Sequence, residues 1–255
     1  MVKHKNQQTL FFPSLEKYLH HGISWNAPNM SYKFESTEIV KKNIENFLML
    51  NKVDSDKNKL HLLCEHKDNI IFVDKRETVD KNSFFNSDCL ITNSSQNLIF
   101  VKPADCAISI IYAKNKKDEF VTIMHAGRSG IDLELPKKTI KFLIEKLKVT
   151  HESIKIGISP MISKEHYFIL QKDSNLIRDI NEWKNFINFK NKKIFLDLKG
   201  YLLKQFYDCG IKEFQIHDSN LDTFTNAKLG KTFSHRFSKM YNEKDGRMLI
   251  FAGLR

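Results

Sequence analysis

Apolar and polar positions alternate in two distinct rhythms along this chain. In Thr37–Asn51, "TEIVKKNIENFLMLN", apolar residues fall at Ile39, Val40, Ile44, Phe47 and Leu48, a spacing that predicts a helix with one buried stripe. Pro136–Val149 repeats the pattern, with Pro136 suited to a first turn and Ile140, Leu143, Ile144 and Leu147 on one face. Asp197–Gly210 predicts a further helix stopped by Gly210. Between these lie short apolar runs of strand length. His61–Asp74 reads as two strands around a turn, and Ser87–Asn93 and Asn97–Cys106 add β-like runs. Beyond Cys106 the apolar run continues to a polar turn at Lys114–Glu119 and a second strand ending near His125, so Lys102–Ile131 predicts a hairpin. Ser153–Pro160 reads as a strand leading into a loop, and "EFQIHDS" and "RMLIFAGL" as late strands.

The strands and helices follow no regular βαβ alternation. The expected class is therefore α+β with mixed sheets rather than a dinucleotide-binding fold, and no GxGxxG or phosphate-binding loop occurs. With 255 residues, only 9 Gly and 5 Pro, and no repeat or low-complexity linker, residues 1–255 are expected to form a single domain. No apolar run reaches membrane-spanning length, and the first residues lack the apolar stretch of a signal peptide, so a cytoplasmic protein is expected.

The net charge of +11 raises the question of an anionic partner. The lysines are scattered, and no basic helix, zinc finger or aromatic RNA-binding stretch accompanies them, which argues against nucleic acid. A basic surface suits a small anionic substrate equally well. The four cysteines, Cys64, Cys89, Cys106 and Cys209, contain no CxxC pair and are expected as free thiols.

The predicted hairpin brings the ends of its strands together, and those ends carry Cys106 and His125. A thiolate and an imidazole are two of the three protein ligands of an open tetrahedral zinc site, and His66, at the end of another apolar run, is the best third. The same two residues could instead form a Cys–His nucleophile, or pack as a buried thiol and a structural histidine. Ala126 and Gly127 leave room for close approach after the strand, Arg128 adds a fixed positive charge, and Asp105 stands beside the thiol, able to orient a ligand or take a proton.

The ordered set "ADC", strand, turn, strand, "HAG-x-x-G" resembles the YfiH-like family, also called DUF152 or the multicopper polyphenol oxidase (laccase-like) family. The likeness extends through "HGISW" (His21–Trp25), the helix with Asn43, "GISPMISKEHY" (Gly157–Tyr167), "FSHR" (Phe233–Arg236) and "DGRMLIFAGL" (Asp245–Leu254). The resemblance implies a four-layer α/β/β/α arrangement of mixed sheets, shared with a bacterial toxin deamidase that uses a Cys–His pair. It implies a zinc site of His66, Cys106 and His125. It also implies phosphorolysis of adenosine and inosine with phosphate as co-substrate, accompanied by adenosine deamination and methylthioadenosine cleavage. Catalytic roles then fall to Cys106, His125 and Arg128, and substrate contacts to Asn43, Asp105, Ser234, Arg236 and Arg247.

Other activities linked to the family are copper-dependent phenol oxidation and editing of peptidoglycan precursors. A cluster of several copper ions needs many histidines, usually with His-x-His pairs. The 10 histidines here include no such pair, so one Cys/His₂ site with zinc is favoured over copper. Alternatives to the phosphorylase are a Cys–His amidase, a laccase-like oxidase and a non-catalytic binding protein. The shell departs from the family pattern: "HAGRSG" stands for "HAGWRG", "CEHK" for "QVHG", and Asn43 is followed by Ile44 rather than arginine.

Overall fold

The structure is a computed structural model and describes residues 2–255. Its frame is two stacked β-sheets. The seven-stranded sheet has the spatial order Lys3–Asn6, Thr9–Phe11, Leu19–Ser24, Ile250–Leu254, Asn97–Val101, Asn58–Leu63, Asn82–Asn86. The six-stranded sheet runs Ile216–Asp218, Lys155–Ile158, Ala107–Lys114, Glu119–Ala126, Cys89–Thr92, Ile70–Val73. Both mix parallel and antiparallel pairs.

Strand alternation explains the layering. Ile99 and Val101 point inward from the first sheet and meet Ile108, Ile110, Val121 and Ile123 of the second, forming the core between them. Leu98 and Phe100 point outward and are covered with Phe251 by Phe47 and Leu48 of the helix Thr37–Leu50. On the far side, Ile91, Ile111 and Met124 pack against Leu135, Ile140, Leu202 and Phe206 of the helices Leu135–Lys141 and Leu198–Asp208. The order helix, sheet, sheet, helix is the four-layer arrangement that the family resemblance implies, within the α+β class expected from the pattern of elements.

The expected helices need small corrections. Ile39, placed on the buried stripe, remains 49% exposed, and only Val40, Phe47 and Leu48 are fully buried there. The helix expected over Pro136–Val149 is α-helical for Leu135–Lys141 and continues as a π-turn, Phe142–Lys146. That wider turn ends beside the hairpin loop, where the Asn115 amide donates to the Leu147 carbonyl at 2.8 Å. "EFQIHDS" is half a 3₁₀ turn, Glu213–Gln215, before the strand Ile216–Asp218.

The hairpin forms as Ala107–Lys114 and Glu119–Ala126, paired antiparallel with Ala126 opposite Ala107. A small third sheet has the spatial order Phe168–Leu170, Lys193–Leu196, Ile187–Lys190, with both pairs antiparallel. Among the described residues, no helix is long and apolar enough to cross a membrane.

Candidate metal centre

The chain passes from the first sheet to the second three times at one end of the stack. Strand Asn58–Leu63 lies in the first sheet and Ile70–Val73 in the second; Asn82–Asn86 is followed by Cys89–Thr92, and Asn97–Val101 by Ala107–Lys114. The three crossings carry His66, Asp88 and Cys106. His125 ends the neighbouring strand and shares the inward face of Ile123 and Val121.

The ligand atoms of His66, Cys106 and His125 all lie within 4.8 Å of one another, with His125 buried, Cys106 half-buried and His66 exposed. Asp88 organises them. Its carboxylate accepts from the backbone N–H of His66 at 3.0 Å and of Lys67 at 2.8 Å, and lies 2.8 Å from His125 Nδ1. It thereby holds a loop in which His66 adopts a left-handed φ of 61°. It also fixes the imidazole of His125, leaving Nε2 free to face the thiol. Gly127 has a steric role: a Cβ there would stand 2.9 Å from Cys106 Sγ and 3.5 Å from a ring carbon of His66.

Burial raises the Cys106 thiol, but the charge of His125 and hydrogen bonds with His125 and His66 outweigh it and bring the thiol down to about 6. For His125, burial disfavours the charged ring. The neighbouring sulfurs of Cys64 and Cys106 and the Asp88 carboxylate reverse this and hold it well above the usual histidine range. A readily formed thiolate between two imidazoles, one backed by a carboxylate, fits the donor set of a zinc ion. Cys64, Asp88 and His125 form a second convergent group that shares His125.

The centre opens into a cavity of about 1140 Å³. Arg128 and Arg236 flank Tyr167 on one wall. Arg128 lies beside Tyr167, donates to the Leu176 carbonyl, and lies 3.6 Å from Asp132. Arg236 stacks over the rings of Tyr167 and Phe168, donates to the Phe168 carbonyl at 2.7 Å, and has no carboxylate on its guanidinium among the described residues. Arg247 also lines the cavity, but its guanidinium is paired with Asp245 at 2.7 Å. The other carboxylate oxygen of Asp245 holds His235 Nδ1 at 2.7 Å, and His235 lines the cavity.

The remaining expected site residues support these walls. Asp105 lines the cavity, yet both carboxylate oxygens are engaged, by Thr223 Oγ1 at 2.7 Å and by the backbone N–H of Arg236 at 2.8 Å. Burial raises its carboxyl above the usual range, against those hydrogen bonds. Ser234 is fully buried and caps the helix His235–Tyr241 by accepting from the Phe237 N–H at 3.1 Å. Asn43 donates to the Asn29 carbonyl at 2.8 Å and stands behind the cavity wall rather than on it. Sequence reasoning missed Asp88, Tyr167, His235 and Asp245. Asp88 had a local signal, an acidic residue at the start of an apolar run, and the other three lie within the motifs Gly157–Tyr167, Phe233–Arg236 and Asp245–Leu254 that carry the resemblance.

The fold and the site together define a two-sheet α+β protein with a Cys/His₂ centre at the sheet crossings. Residues 19–255 match the family model described as multi-copper polyphenol oxidoreductase laccase, and the chain belongs to this YfiH-like family. Among solved structures it is similar to the Bacillus licheniformis hypothetical protein YfiH (TM-score 0.83, 22% identity, covering 100% of this chain and 99% of that one). It is also similar to YlmD from Geobacillus stearothermophilus (0.78, 18%, 100% and 98%) and to a DUF152 protein from Neisseria meningitidis (0.70, 16%, 92% and 93%). At these identities the likeness is one of fold. No curated protein matches the sequence.

Proposed function

We propose that this chain is a zinc enzyme that cleaves purine nucleosides by phosphorolysis, with adenosine and inosine as substrates. The observation that carries the metal is the convergence of His66, Cys106 and His125, with Asp88 fixing the His125 ring. The nucleoside rests on the family resemblance, and phosphate is supported by the unpaired Arg236 and its neighbour Arg128 beside Tyr167. Adenosine deamination and methylthioadenosine cleavage belong to the same reading.

In phosphorolysis a phosphate oxygen bonds to the anomeric carbon of the ribose while the bond from that carbon to the purine nitrogen breaks. The products are ribose 1-phosphate and the free base. Arg236 and Arg128 would hold the phosphate in line, converting a bimolecular encounter into a positioned one. His235, oriented by Asp245, is the wall residue suited to return a proton to the departing base. Bound zinc would supply Lewis-acid charge at the closed end of the cavity.

Metal analysis of the purified protein, paired with a product assay on adenosine and inosine with and without phosphate, tests this reading. One zinc per chain and ribose 1-phosphate formed only with phosphate are expected. Release of free ribose irrespective of phosphate, or turnover that survives complete chelation, would overturn it.

A second reading has its own support. Cys106, His125 and Asp88 also form a thiol–imidazole–carboxylate series, with the thiol brought down to about 6 after opposing effects of burial and His125. That is the arrangement of a cysteine nucleophile acting on amides, including those of peptidoglycan precursors. Alkylation by iodoacetamide separates the two. A metal-bound Cys106 labels slowly until the metal is removed, whereas a free nucleophile labels at once and activity survives chelation.

A further inference from the structure

Three aromatic side chains stand in register across neighbouring strands on the outer face of the seven-stranded sheet. Phe84 pairs with His61, and His61 with Phe100. The rings of His61 and Phe84 stack at 4.7 Å, and those of His61 and Phe100 lie 5.5 Å apart. The row continues to Phe251, where Phe47 of the helix Thr37–Leu50 covers it. The cover does not extend to the sheet edge, and Phe84 is 65% exposed. The outer end of the row, Phe84 and His61, is therefore uncovered and lines the cavity's outer lobe, with Ile44 and Leu48 of that helix among the lining residues.

This lobe lies apart from the metal centre. Three residues of extended chain, about 10 Å, separate His61 from the start of the loop that carries His66. Strand alternation places Lys59 on the face of His61, and Lys102 on the face of Phe100; both line the cavity. The Lys102 ammonium lies 4.2 Å above the Tyr32 ring and is paired with no carboxylate among the described residues. Burial, the sole influence on it, pushes it down to about 8. A partly buried cation with no counter-ion is costly unless a ligand supplies the charge. Burial likewise lowers His61 against the opposing influence of Asn82, and so favours the uncharged ring as an apolar surface.

We propose that this lobe is a second binding subsite, taking a planar ring that carries a negative charge, with the ring across the edges of Phe84 and His61 and the anion on Lys102. Ring edges are positive and ring faces negative, so a flat ligand laid across the row is favoured by electrostatics as well as by burial. Nucleotides and aromatic carboxylates share this chemistry. The subsite stands independently of the reaction assigned to the metal centre.

The test is calorimetric binding of adenosine 5′-monophosphate, benzoate, adenosine and inorganic phosphate to the full chain and three variants. Lys102→Met is expected to weaken adenosine monophosphate about tenfold while leaving adenosine unchanged. Phe84→Ala, at an exposed position, is expected to weaken adenosine monophosphate roughly fivefold with an unaltered melting curve. Benzoate weakened by both changes identifies aromatic carboxylates as sufficient; benzoate without binding assigns the subsite to nucleotides. The proposal is overturned if Lys102→Met keeps full affinity for both ring anions, or if only Arg236→Gln reduces it. Chelation should abolish turnover and leave this binding intact, so failure of the zinc reading and failure of the subsite are distinguishable.

Discussion

A single carboxylate, Asp88, connects the two halves of the candidate metal centre. It accepts the backbone N–H groups of the His66 loop and meets the imidazole of His125. Asp88→Asn keeps the size but removes the charge, and the amide nitrogen cannot accept where a carboxylate oxygen did. Metal affinity should fall by about 10- to 100-fold, measured by competition with a chromophoric chelator. Affinity equal to the parent would show that Asp88 does not orient the ring. A different histidine governs acid stability. His21 is buried, accepts the Phe12 N–H at 2.9 Å through Nε2, and is pushed down to about 4, chiefly by burial. Between pH 6.5 and about 4 the unfolded chain binds a proton at His21 that the folded chain refuses. Its contribution is therefore complete above pH 6.5 and declines on acidification, by about 3 kcal/mol in all. Urea midpoints across this range should fall less steeply in His21→Gln than in the parent. Parallel slopes would exclude His21 as the source.

At the scale of elements, the hairpin was legible because two apolar runs with a short polar turn have one natural pairing. That pairing sets Ala126 opposite Ala107, beside His125 and Cys106. The position of His66 was less accessible, because "two strands around a turn" does not say that the strands belong to different sheets. The hairpin Ile187–Lys190 with Lys193–Leu196 went unread for a local reason. Its turn residues, Asn191 and Lys192, both have positive φ, at 50° and 59°, and lysine is not the glycine that usually announces such a turn. The junction between the strand Glu119–Ala126 and the helix Arg128–Asp132 depends on glycine for space. At Gly127 the φ of −77° suits any residue, but a Cβ would press on Cys106 Sγ at 2.9 Å. Gly127→Ala should reduce metal affinity at least tenfold by displacing the thiol, with a smaller loss of stability. The same competition assay, set beside a thermal melt, measures both; a large loss of stability with normal affinity would place the strain elsewhere.

Across the whole molecule, the centre lies at one end of a double sheet whose three apolar clusters form without it. The four-layer arrangement was legible through family resemblance, whereas alternation alone could not say which strand faces which sheet. The position of the centre, at the crossings and outside the clusters, separates the candidate metal ligands from the folding core. A metal that binds only the folded state adds about 4 kcal/mol when present at a thousandfold excess over its dissociation constant. Small zinc domains unfold without their ion because they have little other core; this chain has two buried sheet faces and both outer layers. Removing the metal should therefore lower the melting midpoint by on the order of 10 °C while the far-ultraviolet circular dichroism of the native state is retained. Iodoacetamide should then label Cys106, while Cys89, fully buried and pushed by burial up to about 12, stays unmodified. Readdition of zinc before alkylation should restore turnover, and after alkylation should not. Loss of the native circular dichroism on chelation would instead make the ion part of the folding core and contradict this separation.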